Sequence, residues 1–153
     1  MEIERAAEHE MPTILALIAE LLAELGEEGR EFAGIDRDKL LGDLTHAVAS
    51  DRFVALLARD ESGAAIGVLT LSESFALYAG GEYGMIDEMY VRPGSRRHGV
   101  GRALIEEAVA IARERRWFRL DVMAPTADPD RQVASFYEEL GFEPTGAKLR
   151  LLL

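Results

Sequence analysis

Residues 91–104, VRPGSRRHGVGRAL, gather the densest set of chemically capable groups in this chain. An apolar, β-favouring run at residues 85–91 meets a proline and a glycine. A basic turn of Ser95, Arg96, Arg97 and His98 follows, and then Gly99, Val100 and Gly101. Leu104, Ile105, Ala108, Val109, Ile111 and Ala112 next recur at helical spacing. Strand, glycine-rich basic turn and helix together aim backbone N–H groups and a positive helix end at an anion, usually a phosphate. Gly99 and Gly101 have no Cβ, so a ligand can approach the backbone closely. The amides of the first turn, about residues 99–103, lack partners inside the helix. Arg96, Arg97 and Arg102 add guanidinium forks that suit a diphosphate. Residues 92–102 contain no acid, although the chain carries a net charge of −11. A basic island in an acidic chain calls for a local anion.

A plain helix start with solvated arginines shares this composition, and short glycine motifs match by accident. Two other nucleotide motifs fit less well. A dinucleotide fingerprint needs Gly or Ala three residues after the second glycine, where Leu104 stands. A P-loop needs Lys and then Ser or Thr directly after its last glycine, where Arg102 and Ala103 stand.

Asp87 and Glu88 are adjacent carboxylates on the strand that feeds the turn. In a regular strand they point to opposite faces, so one at most looks into a site beside the strand. Glu88 has the longer reach and would share a face with Tyr90, but parity alone does not choose between the two acids. An ion pair or solvation is the expected fate of the other. A third set lies in ASFYEELGF, residues 134–142. Phe136 and Leu140 fall on one helical face with Tyr137 beside them. By itself Tyr137 reads as a partly buried core aromatic.

The order Arg96-x-x-Gly99-x-Gly101 resembles the acyl-CoA pyrophosphate loop of the GNAT superfamily of N-acetyltransferases. Residues 134–142 resemble that family's other signature, a helix carrying Phe-Tyr and ending at Gly-Phe. The resemblance implies acetyl-CoA (coenzyme A) as acyl-donor substrate. Its contacts would be Met89, Tyr90, Val91, Arg96, Arg97, His98, Gly99, Val100, Gly101 and Arg102, with Asp130 before the last helix. Asp130 stands where family members often carry asparagine, and Val133 where a small alanine is common. By the same resemblance Tyr137 sits beside the coenzyme sulfur and protonates the departing thiolate. A phenol with an unperturbed pKa near ~10 holds that proton at neutral pH. An acid on the strand, Asp87 or Glu88, would take a proton from the incoming ammonium, and Asp87 matches the more usual family position. A backbone N–H of residues 89–91 would hold the oxyanion. Direct transfer needs no covalent enzyme intermediate, which suits a chain without cysteine.

These groups must be held by a scaffold, and the apolar periodicity outlines it. Residues 3–7 read as a first strand. Met11, Pro12 and Thr13 open a helix striped by Ile14, Leu17, Ile18, Leu21, Leu22 and Leu25, which Gly26 ends. Residues 26–36 read as a loop, after which Asp36 caps a helix running to about residue 49. Residues 52–58 and 65–71 form a hairpin around the turn at 60–63. Residues 75–84 read as a loop or irregular strand end. A helix over 101–115 and a strand over 117–123 follow. Two prolines keep residues 124–130 irregular. A last helix spans 131–140, closed by Gly141, and residues 142–153 form a closing strand or pair of strands. The order β-α-α-β-β-β-α-β-α-β predicts a mixed α/β (α+β) chain, a central mixed sheet with helices on both faces. Only residues 85–123 demand a parallel pair. This is also the GNAT order, so the resemblance covers nearly the whole chain.

At 153 residues, a single domain over 1–153 is expected. No apolar stretch reaches bilayer length, and the acidic start MEIERAAEHE is unlike a leader, so the cytoplasm is the expected compartment. With no cysteine, and with His9, His46 and His98 far apart in sequence, no metal is expected. The charge of −11 disfavours nucleic acid and favours a cationic substrate, although solubility alone also accounts for it. The activity that the GNAT resemblance implies is acetyl transfer from acetyl-CoA to a primary amine, and the charge makes a small, cationic acceptor the expected one. The alternatives are a non-catalytic acyl-CoA-binding or sensing module and a protein N-acetyltransferase. Residues 26–35 and 75–83 would choose the acceptor. The expected partners are that small-molecule amine and, as an option, a second copy in a homodimer, with no nucleic acid and no membrane.

Overall fold

The sheet contains β1 (Glu2–Arg5), β2 (Phe53–Arg59), β3 (Ala65–Ala76), β4 (Gly81–Val91) and β5 (Leu120–Val122), side by side in chain order. A computed structural model describes residues 1–26, 35–124 and 131–146. The first three strand pairs are antiparallel. β4 and β5 are parallel, joined across the sheet by α3 (Val100–Glu114). The parallel pair required by the sequence is thus present, and among the described residues it is the only one. The chain divides into two compact units, Met1–Met123 and Ala124–Leu153.

Helices cover both faces of the sheet. α1 (Met11–Leu25) and α2 (Arg37–Ala49) bury Met11, Ile14, Leu17 and Leu44 with Ala55, Leu57, Val68 and Tyr90 of the strands. On the alternate strand positions Leu56, Leu69, Leu71 and Ile86 are buried, and α3, packed on β3 and β4, buries Leu104, Ile105, Ala108 and Ile111. Each fully buried aliphatic side chain contributes roughly 1.5–3 kcal/mol. Asp36 caps α2 by accepting from the amides of Asp38 at 3.0 Å and Lys39 at 3.1 Å. Gly26, with φ of 60°, ends α1.

Two elements differ from the sequence expectation. Residues 75–84 continue the hairpin, pairing Phe75 with Glu82 and Ala76 with Gly81 around a 3-10 turn at Leu77–Ala79. Gly80 and Gly81, at φ 80° and 121°, let the chain reverse tightly, so the strands run on to the turn. The strand expected over 117–123 shortens to Leu120–Val122 because Trp117 closes α3. Its N–H donates to the Ala112 carbonyl at 2.9 Å while Arg116 takes φ of 59°. Gly84 makes room for that indole, since a Cβ there would lie 2.4 Å from its Cζ3. In the second unit, α4 (Gln132–Glu139) matches the predicted last helix. Residues 142–146 are irregular, and the rest of the predicted closing strand lies outside the described residues, as do 27–34 of the first loop.

Candidate active site

β4 breaks its pairing at the two acids. Leu69 pairs with Met89 and Leu71 with Ile86, so Thr70 faces both Asp87 and Glu88. This is a β-bulge, one extra residue on β4. The regular alternation assumed for Asp87 and Glu88 is interrupted here, yet the two acids still differ in burial. Asp87 is exposed, whereas Glu88 is half-buried. Glu88 donates its N–H to Thr70 Oγ1 at 3.1 Å, and Thr70 Oγ1 donates back to the Glu88 carboxylate. Burial holds the Glu88 carboxyl above its ordinary value; the Thr70 hydrogen bond opposes that rise and the Asp87 charge adds to it. The pairing of β5 with β4 also stops here, at Ile86 with Val122. The bulge therefore sits where the two parallel strands part.

Beyond it, the basic turn begins with a 3-10 turn at Pro93–Ser95. Gly99 then caps α3 with φ of 82°, a backbone state that side chains rarely adopt. No side chain caps α3 and its first turn holds no acid, so the helix start is left to the turn itself. Arg97, His98 and Arg102 are exposed. Arg97 and Arg102 make no ion pair among the described residues.

Arg96 is engaged within the chain. Its guanidinium grips both carboxylate oxygens of Glu24 on α1 at 2.8 and 2.7 Å, and its Nε donates to the Val91 carbonyl at 2.7 Å. Arg92 pairs likewise with Glu20 at 3.0 and 2.7 Å, lowering the pKa of that acid. Two arginines of the island are therefore neutralised from α1, and among the described residues Arg97 and Arg102 remain as open cations. The Tyr90 ring is buried and its hydroxyl donates to Glu24 at 3.1 Å, so only its backbone is available to a ligand. The Val100 side chain is buried too. Glu20, Glu24 and Thr70 escaped the sequence reading. Thr70 carried a signal, a polar residue within the apolar run of β3.

In the second unit, Tyr137 is buried at 7% exposure. Its ring stands edge-on to Phe136 at 5.2 Å and to Phe142 at 5.4 Å. The backbone explains the motif. Phe142 donates its N–H to the Tyr137 carbonyl and Gly141 to that of Glu138, each at 3.0 Å, with Gly141 at φ 89°. This double bond pattern ends a helix and presses the residue after the glycine onto the last turn. Burial pushes the Tyr137 phenol up to about 12. Asp130 lies outside the described residues. Among the described residues no cluster of His, Asp and Glu is placed for a metal ion, and no helix is long and apolar enough to cross a membrane.

Residues 16–142 match the Acetyltransferase (GNAT) family, and the chain belongs to that family. Solved structures share its fold. An aminoglycoside antibiotic 6'-N-acetyltransferase from Acinetobacter haemolyticus is 22% identical, with a TM-score of 0.75 over 100% of this chain and 98% of the other. A ribosomal-protein-alanine N-acetyltransferase from Brucella melitensis biovar Abortus 2308 is 21% identical, with a TM-score of 0.73 over 100% of both chains. An integron cassette protein from the mobile metagenome of Cole Harbour Salt Marsh reaches a TM-score of 0.79 at 20% identity, covering 99% of this chain and 89% of that one. No curated protein matches the chain. The mixed α/β fold, with five strands and four helices among the described residues, is that of the GNAT acetyltransferases.

Proposed function

We propose that this chain moves an acetyl group from acetyl-CoA directly to the primary amine of a small, cationic acceptor. The observation that carries the reading is Glu88, a half-buried carboxyl at the bulge whose proton affinity is raised by burial. A base works best when its pKa approaches the working pH, and desolvation moves Glu88 that way. Acetyl-CoA supplies the acyl group as an activated thioester. The α3 start fits the anionic end of that substrate: it has no acid, no side-chain cap and two open arginines, Arg97 and Arg102. Backbone N–H groups of residues 99–102 would bind the phosphates, the Ala103 N–H being spent on the Gly99 carbonyl at 3.0 Å.

In the transfer, Glu88 takes a proton from the acceptor ammonium. The freed amine forms the new C–N bond, the C–S bond breaks, and the thiolate takes the Tyr137 proton; the second proton that the nitrogen sheds on becoming an amide passes to solvent, from which the phenolate is reprotonated. A backbone N–H of residues 89–91 would hold the oxyanion. A phenol pushed up to about 12 keeps its proton throughout the neutral range, as a donor must. Asp87, exposed beside Glu88, acts as a neighbouring charge and not as the base. The fold relatives include both aminoglycoside and ribosomal-protein-alanine enzymes, and the charge of −11 favours a polycationic amine over a protein terminus.

Coenzyme A release, read with a thiol indicator, tests this with sisomicin, spermidine and a peptide bearing an N-terminal alanine. Release with a polyamine and little with the peptide is expected. Preference for the peptide would overturn the acceptor class. No release with any amine, alongside a coenzyme A-dependent rise in Tm, would leave a non-catalytic acyl-CoA-binding module.

A further inference from the structure

We propose that Thr70 is the positioning residue for Glu88: one hydroxyl fixes both the main chain and the carboxyl of that acid at the bulge. The inference rests on the reading of Glu88 as base. Thr70 is 2% exposed and is the one fully buried polar side chain among the described residues. A buried hydroxyl costs stability unless it is hydrogen-bonded, and this one spends both its donor and an acceptor on the same residue. The N–H that it accepts belongs to an amide which the extra β4 residue has taken out of regular register. Its own proton goes to the carboxylate. An oxygen held from both sides leaves Glu88 one orientation, with its second oxygen available for an incoming proton. Valine at position 70 would fill the same space and do neither.

After burial itself, Thr70 is the first influence on the Glu88 carboxyl, ahead of the Asp87 charge. Asp87 is the neighbouring charge on β4. On α1, Glu20 and Glu24 are held by Arg92 and Arg96. On β3, Glu73 pairs with Arg52, and on β5, Asp121 pairs with Arg119. α3 meets the sheet with apolar side chains. Since Thr70 donates to the charged form, it stabilises the carboxylate and keeps Glu88 from being locked in its protonated state.

The test needs no acceptor. The Glu88 side-chain carboxyl carbon is followed by 13C NMR against pH in the wild type, Thr70→Val and Thr70→Ser, and assigned by its loss in Glu88→Gln. In Thr70→Val the titration midpoint should move to higher pH and the Glu88 amide resonance should shift. Thr70→Ser, which keeps the hydroxyl, should restore both. Thr70→Ala carries the same expectation should valine fail to fold. An unmoved Glu88 midpoint in the folded valine or alanine variant overturns the proposal. If the midpoint moves as expected but Glu88→Gln acetylates sisomicin or spermidine at the wild-type rate, the base reading fails while the Thr70 clamp stands.

Discussion

Glu88 is half-buried and Tyr137 buried, and each ionisable group leaves a pH signature that is separate from turnover. The folded chain holds the Glu88 proton more tightly than an ordinary glutamic acid of pKa 4.5, so ionising it costs folding free energy. That cost is absent below 4.5 and complete once the pH has passed the raised folded value. Glu88→Gln should therefore be more stable than wild type at pH 7, by about 1 kcal/mol, the scale of a desolvated polar group. The gain should vanish in acid. Paired urea titrations at pH 4 and pH 7 check it, and an equal gain at both would mean that Glu88 is not desolvated. For Tyr137 the sign is the same and the window alkaline: its contribution to stability is intact below pH 10 and is lost as the pH rises through about 12. Tyr137→Phe should accordingly keep fold and coenzyme A affinity at pH 7 and resist alkaline unfolding better than wild type. If the phenol is the proton donor, turnover falls by ~10²-fold. Unchanged kcat would return Tyr137 to a packing role between Phe136 and Phe142.

At the scale of elements, the turn and its helix make the sharpest demand on sequence. Gly99 sits at φ 82°, yet a Cβ built on it meets nothing within 4 Å, so the chain's own packing leaves space there. The backbone state is the protein's reason for glycine, and the open space is where a ligand would come close. Gly99→Val should lose about 1–2 kcal/mol, because a branched side chain is strained in the left-handed region. Gly99→Asn tolerates that region better and should fold nearly normally, yet still lose the coenzyme A-induced rise in Tm. An asparagine variant with the full Tm rise would show that close backbone approach is not needed. Helices were legible in the sequence because apolar spacing, Asp36, Gly26 and Gly141 are all local signals. The bulge was not, since one extra residue on β4 is defined only against the count on β3. The shortening of β5 was hidden for a similar reason: nothing in the run from Trp117 says that Arg116 turns left-handed and spends Trp117 on closing α3.

Across the whole molecule, the sequence reported charge correctly and misjudged where it is free. The basic turn was legible as an island without acids, but Glu20 and Glu24, far earlier in the chain, meet Arg92 and Arg96 only after folding. What remains is a turn with two exposed arginines, Arg97 and Arg102, on a chain of net charge −11. Such a field should draw a polycationic acceptor from a distance and act little on a monocation. Raising ionic strength from about 0.01 M to 0.15 M shortens the Debye length from about 30 Å to 8 Å and removes most of that attraction. Where association limits the rate, kcat/KM for sisomicin or spermidine should then fall by about 10-fold, carried by KM with kcat steady. A monoamine of similar reach should change much less. A salt response equal for the two acceptors would mean that the acidic surface serves solubility and does not select the substrate.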